Sequence, residues 1–489
     1  MPLHPRNFRP QRRDAQIYTR KLNWYYLPYE LRIMVLGHLA NHNVHKAERA
    51  SWPTVCAEWR DFFETRAFAC LTLQRVDDIR DFGRLGRHLR DKVKRVRLHV
   101  PLNRYDCTRC DEPEDTQEII ANNMAFSGLL LALLNILASW QRREDGGLAL
   151  EISAASPSDT QHYLASFRTS REFLDNILGI EGLRVPVITQ FIVNRESRRA
   201  LSEGAIQRVF EYLPSLKTVT WEPWSGTVAE SQWPRELANL SLLANLPATV
   251  RGLTLWECWQ EPTDIGHEHE DASQSRPAGW HAFLWRRKEE RTREFSTSQL
   301  MAVIAAEKMT GHRRMALTAA YACRNLSSFN AAGIIDATAF FQNLVLLAEA
   351  QPRLTWCNLT TIALKTPQVL WRDSREGLFC AARDAAALMP QLRVMELWDV
   401  TANAGAVFRF RVLELEAELV LETTIGAQLS DKVRELWDDL AWQRRGKQMI
   451  VRVRVLGQDA VRGSRKGFFQ RLRLLDPLQM REWNTYRLY

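Results

Sequence analysis

The stretch Pro390-Gln-Leu-Arg-Val-Met-Glu-Leu-Trp398 sets the pattern for most of this chain. Met389-Pro390 stops the helix before it, since a proline cannot continue the hydrogen-bond ladder. Polar residues follow, and then a short apolar run of strand length. The same grammar recurs at Leu213-Pro-Ser-Leu-Lys-Thr-Val-Thr-Trp221 and Leu246-Pro-Ala-Thr-Val-Arg-Gly-Leu-Thr-Leu-Trp256. Working outward, further short strands are predicted at Cys70–Leu73, Lys94–Val100, Leu148–Ser153, Leu326–Asn330 and Leu359–Leu364. Helices are predicted at Val76–Arg90, Gln117–Trp140, Ser202–Tyr212, Glu236–Ala244, Ser298–Tyr321, Ala337–Ala350 and Phe379–Met389.

The strand centres Phe329, Ile362 and Met395 are each 33 residues apart, and Val219 and Thr254 are 35 apart. One strand plus one helix repeated at this period predicts an α/β fold built as an irregular leucine-rich-repeat-like solenoid. The period is longer than the common repeat, and the asparagine ladder position is not consistently filled. The alternative is a conventional α/β domain with a parallel sheet. Phe408–Leu413 and Leu419–Glu422 are expected to pair as a hairpin. Ile450–Val455 is expected to close a basic C-terminal cap that starts near residue 400. Gln260–Pro277 is acidic, polar and aperiodic, and is expected to be a disordered insertion.

The N-terminal part has a different texture. Pro28 suits the first turn of a helix, where a missing N–H costs nothing, and Glu30 suits the positive end of its dipole. At 100° per residue, Leu27, Leu31, Met34, Val35 and His38 fall on one side of that helix. Tyr29, Ile33, Leu36 and Ala40 fall nearly opposite. A surface helix has one apolar stripe. A second stripe, in a unit of roughly 40 residues that buries little surface by itself, needs a partner. A second helical run holds Val55, Cys56, Trp59, Phe62 and Phe63.

Leu27-Pro28-x-Glu30-Leu31, Ile33, Val35-Leu36 and Leu39, then Val55-Cys56-x-Glu58-Trp59, together resemble an F-box. Asn41–His45 is polar where many F-boxes carry an apolar turn, and Pro53 interrupts what is often continuous helix. Further along come Tyr105-x-Cys107-x-x-Cys110, Ser156-Pro-Ser-Asp159 with His162, and Trp221-Glu-Pro-Trp224. With Pro390-x-Leu-x-x-Met-Glu-Leu-Trp398, they extend the resemblance to F-box proteins of filamentous fungi with a leucine-rich-repeat-like C-terminal region. The resemblance implies three parts: a basic, disordered tail at 1–22, an F-box-like helical domain at 23–68, and the repeat array at 69–489. It implies a substrate receptor of an SCF-type ubiquitin ligase, docked through a Skp-type adaptor onto a cullin–RING assembly. Leu27, Pro28, Glu30, Ile33, Leu36, Val55 and Trp59 are the residues expected at the adaptor.

Composition bounds the remaining possibilities. The 489 residues are 46% hydrophobic and 25% charged, which suits a soluble globular chain. The first 22 residues are Arg-rich without an apolar run, so no signal peptide is read there. Ile119–Trp140 has membrane-spanning length, but Asn122, Asn123 and Asn135 favour a buried helix. The net charge of +9 is uneven, with +5 over residues 1–21 and +9 over 443–489, leaving −5 between them. Basic ends of this kind are most simply solvated tails; a nucleic-acid partner is the less favoured reading. The eight cysteines are scattered and suit the reducing cytoplasm or nucleus.

Cys107-x-x-Cys110 is half of a zinc site at most, because four donors are needed and no second pair lies nearby. His267-Glu-His269 sits in the acidic insertion and is expected to be solvated. No GxxxxGK[ST], GxSxG or HExxH pattern occurs, so no catalytic residue and no cofactor are expected. The 17 tryptophans are many. Trp221, Trp224, Trp256, Trp259 and Trp398 fall at predicted strand ends, where they would either anchor a protein target or cover seams between repeats.

Overall fold

Short polar side chains start the helices where the sequence places them. Asp115 accepts from the Glu118 N–H, Ser202 from Ala205, Asp336 from Ala339 and Ser430 from Val433. Each satisfies a backbone donor that the first helical turn leaves unpaired. The computed structural model describes residues 24–41, 51–106, 114–141, 146–160, 182–194, 197, 201–222, 239–256, 311–351, 354–401, 403–444, 446–461 and 466–474. Its helices are α1 (Tyr29–Asn41), α2 (Ala57–Phe68), α3 (Val76–Gly83), α4 (Arg87–Arg90), α5 (Thr116–Ala138) and α6 (Glu203–Tyr212). They continue with α7 (Gly311–Ala322), α8 (Ala337–Ala350), α9 (Arg372–Ala387), α10 (Asp431–Gln443) and the single turn α11 (Lys466–Phe469). Cys107, Cys110, Trp224, Trp259, His267, His269, residues 1–22 and the expected 260–277 insertion lie outside the described residues.

Twelve strands form one open sheet in which the order in space is the order in sequence. They are β1 (Cys70–Leu73), β2 (Arg95–Pro101), β3 (Leu148–Ala155), β4 (Ile188–Val193), β5 (Thr218–Trp221) and β6 (Gly252–Trp256). After them come β7 (Ser328–Ala332), β8 (Thr361–Lys365), β9 (Val394–Val400), β10 (Gly405–Val412), β11 (Glu416–Thr423) and β12 (Gln448–Val455). From β2 to β9 every neighbouring pair is parallel, β9–β10–β11 is an antiparallel meander, and β12 returns parallel to β11. The chain is therefore mixed α/β with an open sheet.

The 33-residue spacing is a register. Phe329 pairs with Ile362, and Ile362 with Met395. The 35-residue spacing is not: Val219 pairs with Leu253, and Thr254 pairs with Thr220. One strand escaped the sequence reading altogether, Ile188-Thr-Gln-Phe-Ile-Val193, which lies between β3 and β5. The expected helix Val76–Arg90 is two pieces, α3 and α4, parted by the Gly83–Gly86 segment.

The chain divides into two compact units. One holds the described residues up to Cys70 together with Gly86–Val93; the other holds Leu71–Leu85 and the residues from Lys94 onward. In the second unit, one face of the sheet is lined by residues such as Phe191, Val219, Phe329, Met395 and Phe408, all buried. Helices cover that face. Phe210 of α6 meets Phe191 edge-on, Phe340 of α8 stacks on Phe329, and Phe379 of α9 stacks on Phe408. The apolar stripe of α5, including Phe126, Leu130, Leu133 and Leu137, is buried, and α5 packs on β2 and α3. Among the described residues α5 alone is long and apolar enough to cross a membrane, and its buried side chains serve the core.

At the start of α3 the Asp78 carboxylate accepts from the N–H groups of Gln74 and Arg75, both at 2.9 Å. These two bonds hold its pKa below the ordinary value. A lowered folded value means that the stabilisation is complete above the unfolded value of about 3.9 and is lost as pH falls through the folded one. Asp78→Ala is expected to cost about 0.5–1 kcal/mol at pH 7, at the low end for a cap because water reaches the site. Chemical unfolding of both chains at pH 7 and again below pH 3 checks this, and the difference should shrink at the lower pH.

Candidate docking site

Glu58 organises the N-terminal unit. Its carboxylate accepts from the Trp24 indole N–H at 2.8 Å and from Arg32 Nε at 2.9 Å, tying the entry turn and α1 to α2. Arg32 also donates to the Leu27 carbonyl at 3.1 Å, and both partners of the ion pair are largely shielded. Aromatic rings fill the space around this pair. Trp24 contacts Trp59, Trp59 contacts Phe63, and Trp52 contacts Phe63, at centroid separations of 5.6, 5.8 and 4.8 Å. Lys92 bonds Asp61 of α2 at 2.5 Å and lies 3.7 Å from Glu64.

This arrangement decides between the two stripes of α1. Arg32 faces α2, and Leu36, one turn on, is fully buried, with Ile33 and Ala40 half-buried beside it. Leu31, Met34 and Val35 are exposed by 45%, 58% and 41%, and His38 continues their row. Tyr25, Tyr26, Tyr29 and Val55 are exposed as well. Of the residues expected at an adaptor, Pro28, Glu30 and Val55 are exposed, while Leu27, Ile33 and Trp59 are half-buried. The expectation for Leu36 is corrected: a side chain with no exposed surface cannot meet a partner. The exposed apolar row of α1 is Leu31–Met34–Val35. Its helical spacing was visible in the sequence, but which stripe faces outward depends on the Arg32–Glu58 pair.

The tryptophans of the sheet are corrected in the same way. Trp221 is 2% exposed and points to the helical side, where its indole N–H donates to Asn239 at 2.9 Å. Trp256 and Trp398 lie on the opposite face, in contact with each other at 5.7 Å, but are 4% and 1% exposed. None of the three presents a free ring. The same non-helical face carries buried charge that sequence reasoning missed. Glu151 is held by Arg95, Arg97 and Asn194, and Glu396 by Arg409. The one hint in the sequence was a glutamate flanked on both sides by apolar residues, Leu150 and Ile152 in one strand and Met395 and Leu397 in the other.

Among the described residues no group of three His, Cys, Asp or Glu side chains could hold a metal ion. The buried Cys323 thiol is pushed well above its usual pKa by desolvation, which leaves it inert as a nucleophile.

Residues 245–477, from just before β6 to just beyond the last described residue, match a family of unknown function (DUF6546). No curated protein matches the chain.

Proposed function

We propose that this chain is the substrate-recognition subunit of an SCF-type ubiquitin ligase, acting in the cytoplasm or nucleus. Its N-terminal unit would dock a Skp-type adaptor, and its repeat array would hold a protein target. The observation that carries the proposal is the outward row Leu31–Met34–Val35 on a helical pair whose other side is closed around Glu58. Apolar side chains exposed together mark an interaction surface. A standard interface covers about 800 Å² per partner, an area that a two-helix unit can offer. Parallel strands in sequential order, with a 33-residue register over β7, β8 and β9, support the leucine-rich-repeat-like solenoid as the receptor part. The chain itself contributes no catalytic group: its effect on the reaction is proximity, holding a target beside the ubiquitin-loaded enzyme.

The test is co-purification of the adaptor with the full chain and with a Leu31→Asp/Met34→Asp variant. Because both side chains already face water, the variant should melt like the parent and lose the adaptor by about 100-fold or more. Retained binding by the folded variant sinks the docking assignment. If the adaptor binds and no partner gains ubiquitin or changes in abundance when the chain is removed, the chain is a scaffold outside ubiquitin transfer.

A further inference from the structure

The non-helical face of the sheet changes character along its length. Over β2 and β5 the residues on this face are half-buried while those on the helical face are buried, whereas over β9, β10 and β11 almost every residue on both faces is buried. The cover there is the chain's own segment 466–474. Phe468, Phe469 and Leu472 are buried in one cluster with Trp256, Trp398 and Val407 of the sheet, and Phe469 meets Trp398 edge-on at 5.9 Å.

The sheet is shaped for this segment. At Gly405, on β10, an added Cβ would lie 2.6 Å from Phe468 Cε2 and 2.9 Å from Val461 Cγ1, so the missing side chain is the seat of the ring. The remaining contacts read backbone. The Glu396 carboxylate accepts from the N–H groups of Arg473 and Leu474 at 3.1 and 3.0 Å. Arg409 donates to the Arg471 carbonyl, and Asn330 Nδ2 to the Leu474 carbonyl at 3.4 Å. Asn330 Oδ1 is buried without a hydrogen-bond partner. The segment presents these groups from a helical turn continued by two further turns, with the Arg471 N–H donating to the Phe468 carbonyl and the Leu472 N–H to the Phe469 carbonyl.

The floor also suits a removable occupant. A carboxylate–guanidinium pair sealed for good beneath a lid is a poor source of stability compared with apolar packing. On a face that opens, the same pair is hydrated and costs little. Segment 466–474 adds no strand to the sheet, and its one helical turn has four residues.

We propose that the non-helical face over β6–β10 is a binding site for a peptide coiled into a helical turn, with two adjacent aromatic residues and a leucine three positions after the second. Residues 466–474 occupy it in cis. A partner segment with this pattern displaces them and makes the same contacts with Trp398, Gly405, Arg409 and Glu396. The inference does not rest on adaptor docking by the N-terminal unit. Because the internal segment competes at an effective concentration on the order of millimolar, the parent chain is held closed against weak ligands.

The experiment uses the full chain and a fluorescent peptide of residues 464–474. A Phe468→Ala/Phe469→Ala chain, whose own segment has lost its anchors, should bind the peptide at least tenfold more tightly than the parent. Adding Gly405→Ala to that chain fills the ring's seat, and peptide binding should be lost. Equal binding with and without Gly405→Ala overturns the site. Amide hydrogen exchange on the unsubstituted chain is decisive even if the variants fold poorly. The Arg473 and Leu474 amides should exchange at least tenfold faster than those of Met395 and Leu397, and faster still with excess peptide. Exchange of all four at one common rate would make the segment a fixed part of the core and overturn the proposal.

Discussion

Replacing Phe408 by alanine is expected to lower the stability of the sheet-bearing unit by about 3–5 kcal/mol, the range for removing a buried aromatic ring. Phe408 is completely buried at the junction of three elements. Its ring stacks on Phe379 of α9 at 3.9 Å and meets Trp437 of α10 at 5.4 Å. Trp437 in turn donates its indole N–H to the Phe379 carbonyl at 3.2 Å, so neither neighbour is free to collapse into the space that alanine would leave. The cost therefore includes the cavity as well as the lost transfer energy. Phe408→Leu should recover much of it, to a cost of about 1.5 kcal/mol. The check is the midpoint of chemical unfolding for the three chains. A cost below about 1 kcal/mol for the alanine chain would show that the α9–α10 layer repacks, against what this geometry implies.

Glu151→Ala should cost about 2–4 kcal/mol, less than a fully sealed pair because both arginines reach some water. The Glu151 side chain is 4% exposed, and Arg95 and Arg97 lie at 3.3 and 2.9 Å from its Oε2. Asn194 donates to Oε1, which links β2, β3 and the end of β4 through one carboxylate. Without it, two guanidiniums face each other with no shared counter-charge, and the Asn194 amide loses its acceptor. Glu151→Gln keeps that acceptor and removes only the charge, so it should cost less than the alanine change. Thermal and chemical unfolding of both variants separates the two contributions. Equal costs would mean that the retained acceptor contributes nothing and that the whole loss is the charge.

Local sequence was enough for most elements because their signals are local. Met389-Pro390 and Leu213-Pro214 end helices by chemistry that needs no tertiary context, and Asp336 and Ser430 start them in the same way. The 33-residue spacing of Phe329, Ile362 and Met395 became a sheet register, because each strand-plus-helix unit buries its apolar face only by stacking on the next. Where spacing is less regular it does not give the register: Val219 pairs one residue before Thr254, and the strand Ile188–Val193 falls outside the pattern. Ile188-Thr-Gln-Phe-Ile-Val193 has Thr189 and Gln190 side by side, so it is neither a continuous apolar run nor a strict alternation.

What the sequence determined by itself is most of the list of parts: an α/β chain, all but one of its strands, most of its helices, and an α1 with two apolar stripes. Only the tertiary structure decided which stripe faces outward, because that depends on Arg32 reaching Glu58, 26 residues away. It likewise decided that Trp256 and Trp398 are covered, since the cover comes from Phe468 and Phe469, far along the chain. Patterns along a chain report which side chains must be buried. What they are buried against is set by contacts between distant segments, whose loop-closure entropy grows only slowly with separation and leaves little trace in local sequence.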